Sequence, residues 1–397
     1  MPEIDLSAQV RGFSGPAIDL AAIERDLTAL WRMPTLAGLR QSEVVPTRTS
    51  VLNLVMIAGS KELARRGTRV IGQLATHHPS RAIIFATSTD PADFAGDIDA
   101  RVSTHCYAGS GQHFAACFEQ IEITVPRDAL DYLTSLIMPL TLPDLPTYLW
   151  YPGQPPLADR RFARLARVAD RLILDSLEFP RGGRFLARAA ELARQDDGCP
   201  SLADLNWGRL IPWRRALAHF FDLPECRWAL DHLVSARVEL GASNTRRTEP
   251  NEAQGLLYLG WLMAQLGWQP LSAEAPEGGW RFLARDGRDQ VVDLELTARP
   301  APRTLDGALT AVRLEAQDGS RQARFELNRV GGDLATIRTV VSNGGRQSFE
   351  HAMQAPCLDT SKLLGRELEE PRRDELFVEA LGEASRLLAL RQKRSHA

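Results

Sequence analysis

Two textures of apolar spacing alternate from residue 50 onward. Ser50–Ile57 and Ala82–Ala86 are short, nearly unbroken apolar runs, bounded by Gly59 and by His78-Pro79, as strands buried on both faces tend to be. Between them, Lys61–Thr76 sets Leu63, Ala64, Val70, Ile71 and Leu74 among charges at a helical period, so the three segments predict a βαβ unit. The alternation continues. Ala100–Cys106, Cys117–Val125, Thr147–Tyr151 and Arg171–Asp175 predict strands, while Asp128–Leu140, ended by Pro139 and Pro143, and Arg161–Ala169 predict helices. Strands that alternate with helices predict a mostly parallel sheet covered on both faces. An amphipathic helix over Ala17–Trp31, closed by Pro34, precedes this region.

Beyond residue 183 the pattern changes. Gly183–Phe221 reads as helix, including Trp207–Phe221. The segment from Pro250 to Leu266 is apolar almost all round and stops at Gly267, which predicts a buried central helix. Alternating runs follow over Trp280–Ala284, Gln290–Thr297, Ala308–Glu315 and Arg321–Asn328, with Asp286-Gly287 and Asp318-Gly319 as hairpin turns. A charged helix over Arg372–Gln392 closes the chain. The expected fold class is α/β: an N-terminal mostly parallel sheet flanked by helices, then an α+β C-terminal domain with an antiparallel sheet packed on a buried helix. The expected divisions are an N-terminal helical arm at 1–44, an α/β domain at 45–182, a helical connector at 183–230 and the α+β domain at 231–397.

Composition narrows the function classes. A chain of 397 residues favours two domains, and 44% hydrophobic with 24% charged residues is an ordinary globular balance. The 47 Lys plus Arg nearly cancel 50 Asp plus Glu, which removes the broad electrostatic case for a nucleic-acid binder. No uncharged apolar stretch reaches the roughly 18 residues of a membrane span. The opening Met1-Pro-Glu-Ile-Asp5 lacks the regions of a secretory signal, so a cytoplasmic protein is expected. The five cysteines, Cys106, Cys117, Cys199, Cys226 and Cys357, include no C-x-x-C pair and are expected as reduced, mostly packing thiols.

Candidate chemistry is sparse. Ser60 and Lys61 follow the first strand and open a helix, where a phosphate or sugar phosphate could sit. Neither G-x-x-x-x-G-K-[ST] nor G-x-G-x-x-G is present there. His105, Cys106, His113 and Cys117 do not form the two tight ligand pairs of a zinc site. There is no G-x-S-x-G elbow, and Ser80 precedes a strand. No catalytic residue, cofactor or metal is expected.

Arg48, His78 and Arg81 precede or open strands, and so fall at the amino-terminal edge of the sheet, opposite the edge where open parallel sheets bind ligands. They either brace helix-to-strand turns or meet a partner. The passage from Pro139 to Pro156 is held extended by prolines. Its Trp150, Tyr151 and Gln154 belong either to an exposed partner surface or to a core strand with a rigid exit loop.

Six segments in series resemble the glucose-6-phosphate dehydrogenase assembly protein family, OpcA. They are Arg48-Thr-Ser-Val-Leu-Asn-Leu-Val55, His78-Pro-Ser-Arg-Ala-Ile83, Cys117-Phe-Glu-Gln-Ile121, Pro139 through Pro156, Ala169-Asp-Arg-Leu-Ile-Leu-Asp-Ser176 and Leu205-Asn-Trp-Gly-Arg-Leu-Ile-Pro-Trp-Arg214. The resemblance implies a non-catalytic protein that binds glucose-6-phosphate dehydrogenase, promotes its active oligomer and feeds the oxidative pentose phosphate pathway. Photosynthetic members are linked to thioredoxin-type control, which needs paired cysteines. Beyond residue 230 this chain has Cys357 alone, so redox switching is not expected here. The alternative from another class is a sugar-phosphate-binding enzyme or sensor using Ser60 and Lys61.

Overall fold

A computed structural model describes residues 11–13, 20–32, 45–90, 100–108, 114–126, 130–179, 182–195, 199–243, 251–330, 333–356, 358–370 and 372–395. Ala17, Pro34, His113, Pro250 and Cys357, singled out above, lie outside them.

The chain opens with β1 (Arg11–Phe13), α1 (Leu20–Trp31), β2 (Val45–Arg48), β3 (Leu52–Ala58), α2 (Lys61–Leu74) and β4 (Ser80–Ser88). It continues through β5 (Ala100–Ala108), β6 (Phe114–Pro126), α3 (Leu130–Leu140), β7 (Thr147–Trp150), α4 (Arg160–Ala166) and β8 (Arg171–Leu174). Then come α5 (Gly182–Ala193), β9 (Ser201–Asp204), α6 (Leu205–Arg209), α7 (Ile211–Asp222), β10 (Leu233–Ala242) and α8 (Ala253–Leu266). The remainder is β11 (Gln269–Glu274), β12 (Gly279–Arg285), β13 (Val291–Pro300), β14 (Leu309–Asp318), β15 (Arg321–Val330), β16 (Asp333–Asn343) and β17 (Arg346–Gln354), then α9 (Thr360–Glu369) and α10 (Glu375–Ser395). Two compact units result, one from residues 1–175, 196–203 and 359–373, the other from 176–195, 204–358 and 374–397.

The first unit is built on a sheet of order β1-β5-β6-β4-β3-β7-β8-β9, with β2 also pairing β6. From β6 through β8 every pair is parallel, and β5 and β1 add an antiparallel margin. All seven residues of β3 are buried, Asn53 among its apolar residues included. Helix α2 closes tightly on β3 because of Gly67, where a Cβ would lie 2.1 Å from the Met56 sulfur. Helix α3 ends at Leu140, as the sequence predicts, with Pro139 held inside its last turn.

The second unit carries an eight-stranded sheet of order β11-β12-β13-β10-β14-β15-β16-β17. It is antiparallel except between β10 and β13, which run parallel because α8 and the β11–β12 hairpin intervene and return the chain in the same direction. The sheet is therefore mixed. Alternation puts Val292, Leu294 and Leu296 inside and Asp293 and Glu295 on the other face. On that face cross-strand pairs link Arg281 to Asp293 at 2.8 Å, Arg313 to Glu326 at 2.7 Å and Arg324 to Glu315 at 3.0 Å. Ten of the fourteen residues of α8 are buried. At its centre Gly260 admits α10, since a Cβ there would meet the Ala380 carbonyl at 2.1 Å. Ser201–Asp204, within the stretch read as helix, is a strand, and Trp207–Phe221 is divided at Leu210.

Candidate functional site

At the amino-terminal edge of the first sheet, β4 and β6 stand in parallel register with Arg81 beside Glu119. Arg81 donates to Glu119 Oε2 from Nε at 3.0 Å and from Nη2 at 2.8 Å. Its Nη1 donates to Glu24 on α1 at 2.7 Å and to the Leu140 carbonyl at 3.0 Å. Arg48 on β2 brings a second cation to the same Glu119 oxygen at 2.8 Å, and the Trp31 indole donates to Oε1 at 2.8 Å. Glu119 is 0% exposed, so its charge is affordable only because donors converge on both of its oxygens. The sequence pattern singles out Arg48 and Arg81 but not Glu119 or Glu24. Glu119 and Glu122 both interrupt the strand Cys117–Val125, and although a buried carboxylate demands a partner, nothing in the run tells which of the two is buried.

His78 lies against α9: a Cβ on Gly365 would sit 3.2 Å from its Nε2, and Glu369 Oε1 is 3.6 Å away. Burial lowers the His78 pKa, the Glu369 carboxylate works against that, and neighbouring His77 reinforces it. Arg81 is buried and the His78 side chain is 13% exposed, so Arg48, 45% exposed, is the most accessible member of this group.

The proline-rich passage is fixed from behind by Asn53, a buried residue of β3. Its Nδ2 donates to the carbonyls of Leu142 and Leu145, and its Oδ1 accepts from the Leu142 amide at 2.8 Å. Trp150 and Tyr151 are 2% and 8% exposed. The Tyr151 ring meets Phe162 edge-on at 5.6 Å, and the Trp150 indole nitrogen has no hydrogen-bond partner among the described residues. Gln154 is exposed on the exit loop. Because β7 runs parallel to β3, Trp150, Tyr151 and Gln154 fall toward the carboxyl edge, whereas Arg48, His78 and Arg81 gather at the other. The six residues do not form one patch.

At the carboxyl edge, Ser60 caps α2 by accepting from the Leu63 amide at 3.2 Å. Lys61 lines a cavity of about 100 Å³ with Arg65, Arg101, Glu122 and Thr124. Three cations against one carboxylate at a strand-to-helix turn can attract a small anion.

The cysteines depart from the expectation of reduced thiols. Cys106 and Cys117 are direct register partners on β5 and β6, with Cα atoms 4.0 Å apart, and are joined as a disulfide. The sequence places both on successive strands; that they face one another depends on the antiparallel register of β5 on β6. Cys199 and Cys226 are thiols. Among the described residues, no group of three or more His, Cys, Asp and Glu is arranged to hold a metal ion. No helix among them is long and apolar enough to cross a membrane.

Fold and site together define a two-unit α/β protein in which a buried carboxylate, Glu119, gathers Arg48, Arg81 and Trp31 at the amino-terminal edge of the first sheet. The chain belongs to the OpcA family. Residues 54–191 match the N-terminal domain of the family described as glucose-6-phosphate dehydrogenase subunit, and residues 200–381 match the C-terminal domain of the same description. A Synechocystis protein with the provisional name OxPP cycle protein OpcA is 30% identical over 82% of this chain and 67% of its own length. A Nostoc punctiforme protein of the same provisional name is 28% identical over 96% and 81%. Among solved structures, the 3-ketoreductase KijD10 from Actinomadura kijaniata overlaps 86% of this chain and 97% of its own, with TM-score 0.46 and 13% identity. An oxidoreductase from Sinorhizobium meliloti overlaps 87% and 90%, with TM-score 0.43 and 13% identity. Likeness at that level carries nothing about chemistry.

Proposed function

We propose that this chain is a non-catalytic binding protein that promotes assembly of glucose-6-phosphate dehydrogenase and activates it allosterically in the oxidative pentose phosphate pathway, with the cytoplasm as its working compartment. The observation that carries the reading is the pair of family matches, which together span most of residues 54–381 and both name that dehydrogenase. An activator of this kind binds the active conformation more tightly and shifts the population by its differential affinity. A tenfold preference supplies about 1.4 kcal/mol of bias.

The partner contacts proposed are Arg48, His78, Arg81, Trp150, Tyr151 and Gln154. Arg48 and Gln154 are exposed and would touch the partner directly. Buried Arg81, Trp150 and Tyr151, with the partly buried His78, would act by fixing the strand ends and the exit loop that present them. Mixing this chain with the dehydrogenase from the same source should raise its rate at subsaturating substrate and yield a heavier species by light scattering. Unchanged kinetics with no complex at micromolar concentrations would end the reading.

A second reading, a sugar-phosphate-binding enzyme or sensor, is favoured by the cavity around Lys61, Arg65 and Arg101. A thermal-shift series with pentose phosphates separates the two. A ligand at one hundred times its dissociation constant adds about 2.7 kcal/mol of stability, and Lys61→Gln should abolish that gain.

A further inference from the structure

A second cavity, of about 200 Å³, lies wholly within the second unit. Its walls come from the α6–α7 junction, the first turn of α8, the loop entering β14, the end of β15 and the chain leaving β17. Arg209 and Arg329 both line it, together with the polar Gln254 and Thr304 and the ring of Trp213. The described lining contains two arginines and neither Asp nor Glu.

The walls are set before any ligand arrives. Gln254 is locked from both ends: its Nε2 donates to Asn206 Oδ1 at 2.7 Å, and its Oε1 accepts from the Leu309 amide at 2.8 Å. Asn206 in turn donates to Ser176 Oγ at 3.0 Å, and Asp204 accepts from both the Ser176 and Asn206 amides at 2.9 Å. The Arg329 guanidinium is oriented by two carbonyls, Leu309 and Ala355, each at 3.5 Å, with its carbon 5.5 Å from the centre of the Trp213 ring. A pre-set concave site lined by apolar walls and a few convergent polar groups is the general form of a small-molecule pocket.

We infer that this cavity binds a small oxyanion-bearing metabolite, a carboxylic acid or a phosphate monoester, through Arg209 and Arg329. Planar guanidiniums recognise either oxyanion by paired hydrogen bonds. The size excludes a nucleotide, because pockets for larger ligands run to roughly 300–1,000 Å³. Trp213 and Thr304 line the space left for the body of the molecule.

The test is calorimetric titration of the isolated chain with inorganic phosphate, ribose 5-phosphate and citrate, accompanied by melting curves. Saturable binding of at least one probe is expected, and whether a phosphate or a carboxylate wins identifies the oxyanion. Arg209→Gln and Arg329→Gln should each weaken it by roughly tenfold or more, with unliganded melting curves reporting that each variant folds. If Arg329→Gln fails to fold, Arg209→Gln alone decides. Lys61→Gln, in the other unit, should leave the affinity unchanged. No saturable binding of any probe, binding that survives loss of either arginine in a folded variant, or binding lost in Lys61→Gln would each overturn the assignment. Titration of the isolated chain needs no partner, so its failure leaves the dehydrogenase reading standing.

Discussion

Arg171 Nη2 donates to the carboxylate of Glu367 at 2.5 Å, across 196 positions of sequence. Arg171 is buried at the start of β8, and its Nη1 also donates to the Arg372 carbonyl at 2.6 Å. One guanidinium thus ties α9 and the residues after it to the sheet of the first unit. Removing the carboxylate would leave a buried cation without its counter-ion, a loss of about 3–5 kcal/mol. Glu367→Ala is expected to lower the urea-unfolding free energy by that amount. A change under about 1 kcal/mol would mean that the pair behaves as a solvated surface bridge.

Glu119 and Arg48 share a bond yet should respond unequally to mutation. Glu119→Gln removes the charge that Arg81 and Arg48 share and turns one acceptor oxygen into an NH2 that faces a donor, so a loss of about 3 kcal/mol or more is expected. Arg48→Ala removes a side chain that is 45% exposed and should cost about 1 kcal/mol or less. Denaturant titrations of the two variants, side by side, check the ranking.

The lowered pKa of His78, caused first by burial, makes stability depend on pH in a defined direction. The unfolded chain binds a proton near pH 6.5, while the folded chain resists it to lower pH, so the unfolded state holds more protons in the window between the two values. Stability from neutral His78 is complete above about pH 6.5 and falls as pH drops through that window. His78→Gln should flatten this part of the stability profile, measured by denaturation at a series of pH values, whereas an unchanged slope would assign it to other groups.

Trp150 carries a buried indole nitrogen without a partner among the described residues. Phe keeps most of the ring and removes the orphan donor, so Trp150→Phe is expected to be within about 1 kcal/mol of the parent. Trp150→Ala should cost about 3–5 kcal/mol. Melting curves read both, and dehydrogenase affinity measured on the folded fraction tells whether the residue also matters to a partner.

Cys106 and Cys117 can be counted chemically. Alkylation of the urea-unfolded chain without reductant should add two fewer groups than alkylation after reduction, as read by intact mass. Equal counts would place both cysteines in the thiol state. Peptide mapping of the difference should assign it to residues 106 and 117, with Cys199 and Cys226 alkylated in both samples.

Much of the architecture is legible where a segment's own spacing decides its fate. The runs behind β3, β4 and β6, the helical period of α2 and the all-round apolar text of α8 each specify an element without reference to distant residues. Some strands escaped: Ser201–Asp204 has four residues, Arg346–Gln354 lacks an apolar stripe, and Leu233–Ala242 escaped despite the apolar alternation it carries. The candidate site was harder, because its chemistry is made of pairs. Arg81 looks like a surface cation until Glu119, 38 positions away, is set beside it in a parallel register. Asn53 looks like an intrusion in a strand until the carbonyls of Leu142 and Leu145 arrive. Such residues announce that a partner exists and not which one it is.

The division of the first unit into three stretches has a consequence on the ribosome. Residues 1–175 emerge early, but 359–373 are translated only after nearly all of the second unit. At about 5–20 residues per second, Arg171 waits on the order of ten seconds for Glu367 to exist. Any nascent chain released before that point lacks the helix that covers His78 and Leu74. The same holds for a gene cut between residues 191 and 200, where the two family matches part. The upstream product would be missing two of its own pieces, 196–203 and 359–373, so this chain must be expressed whole.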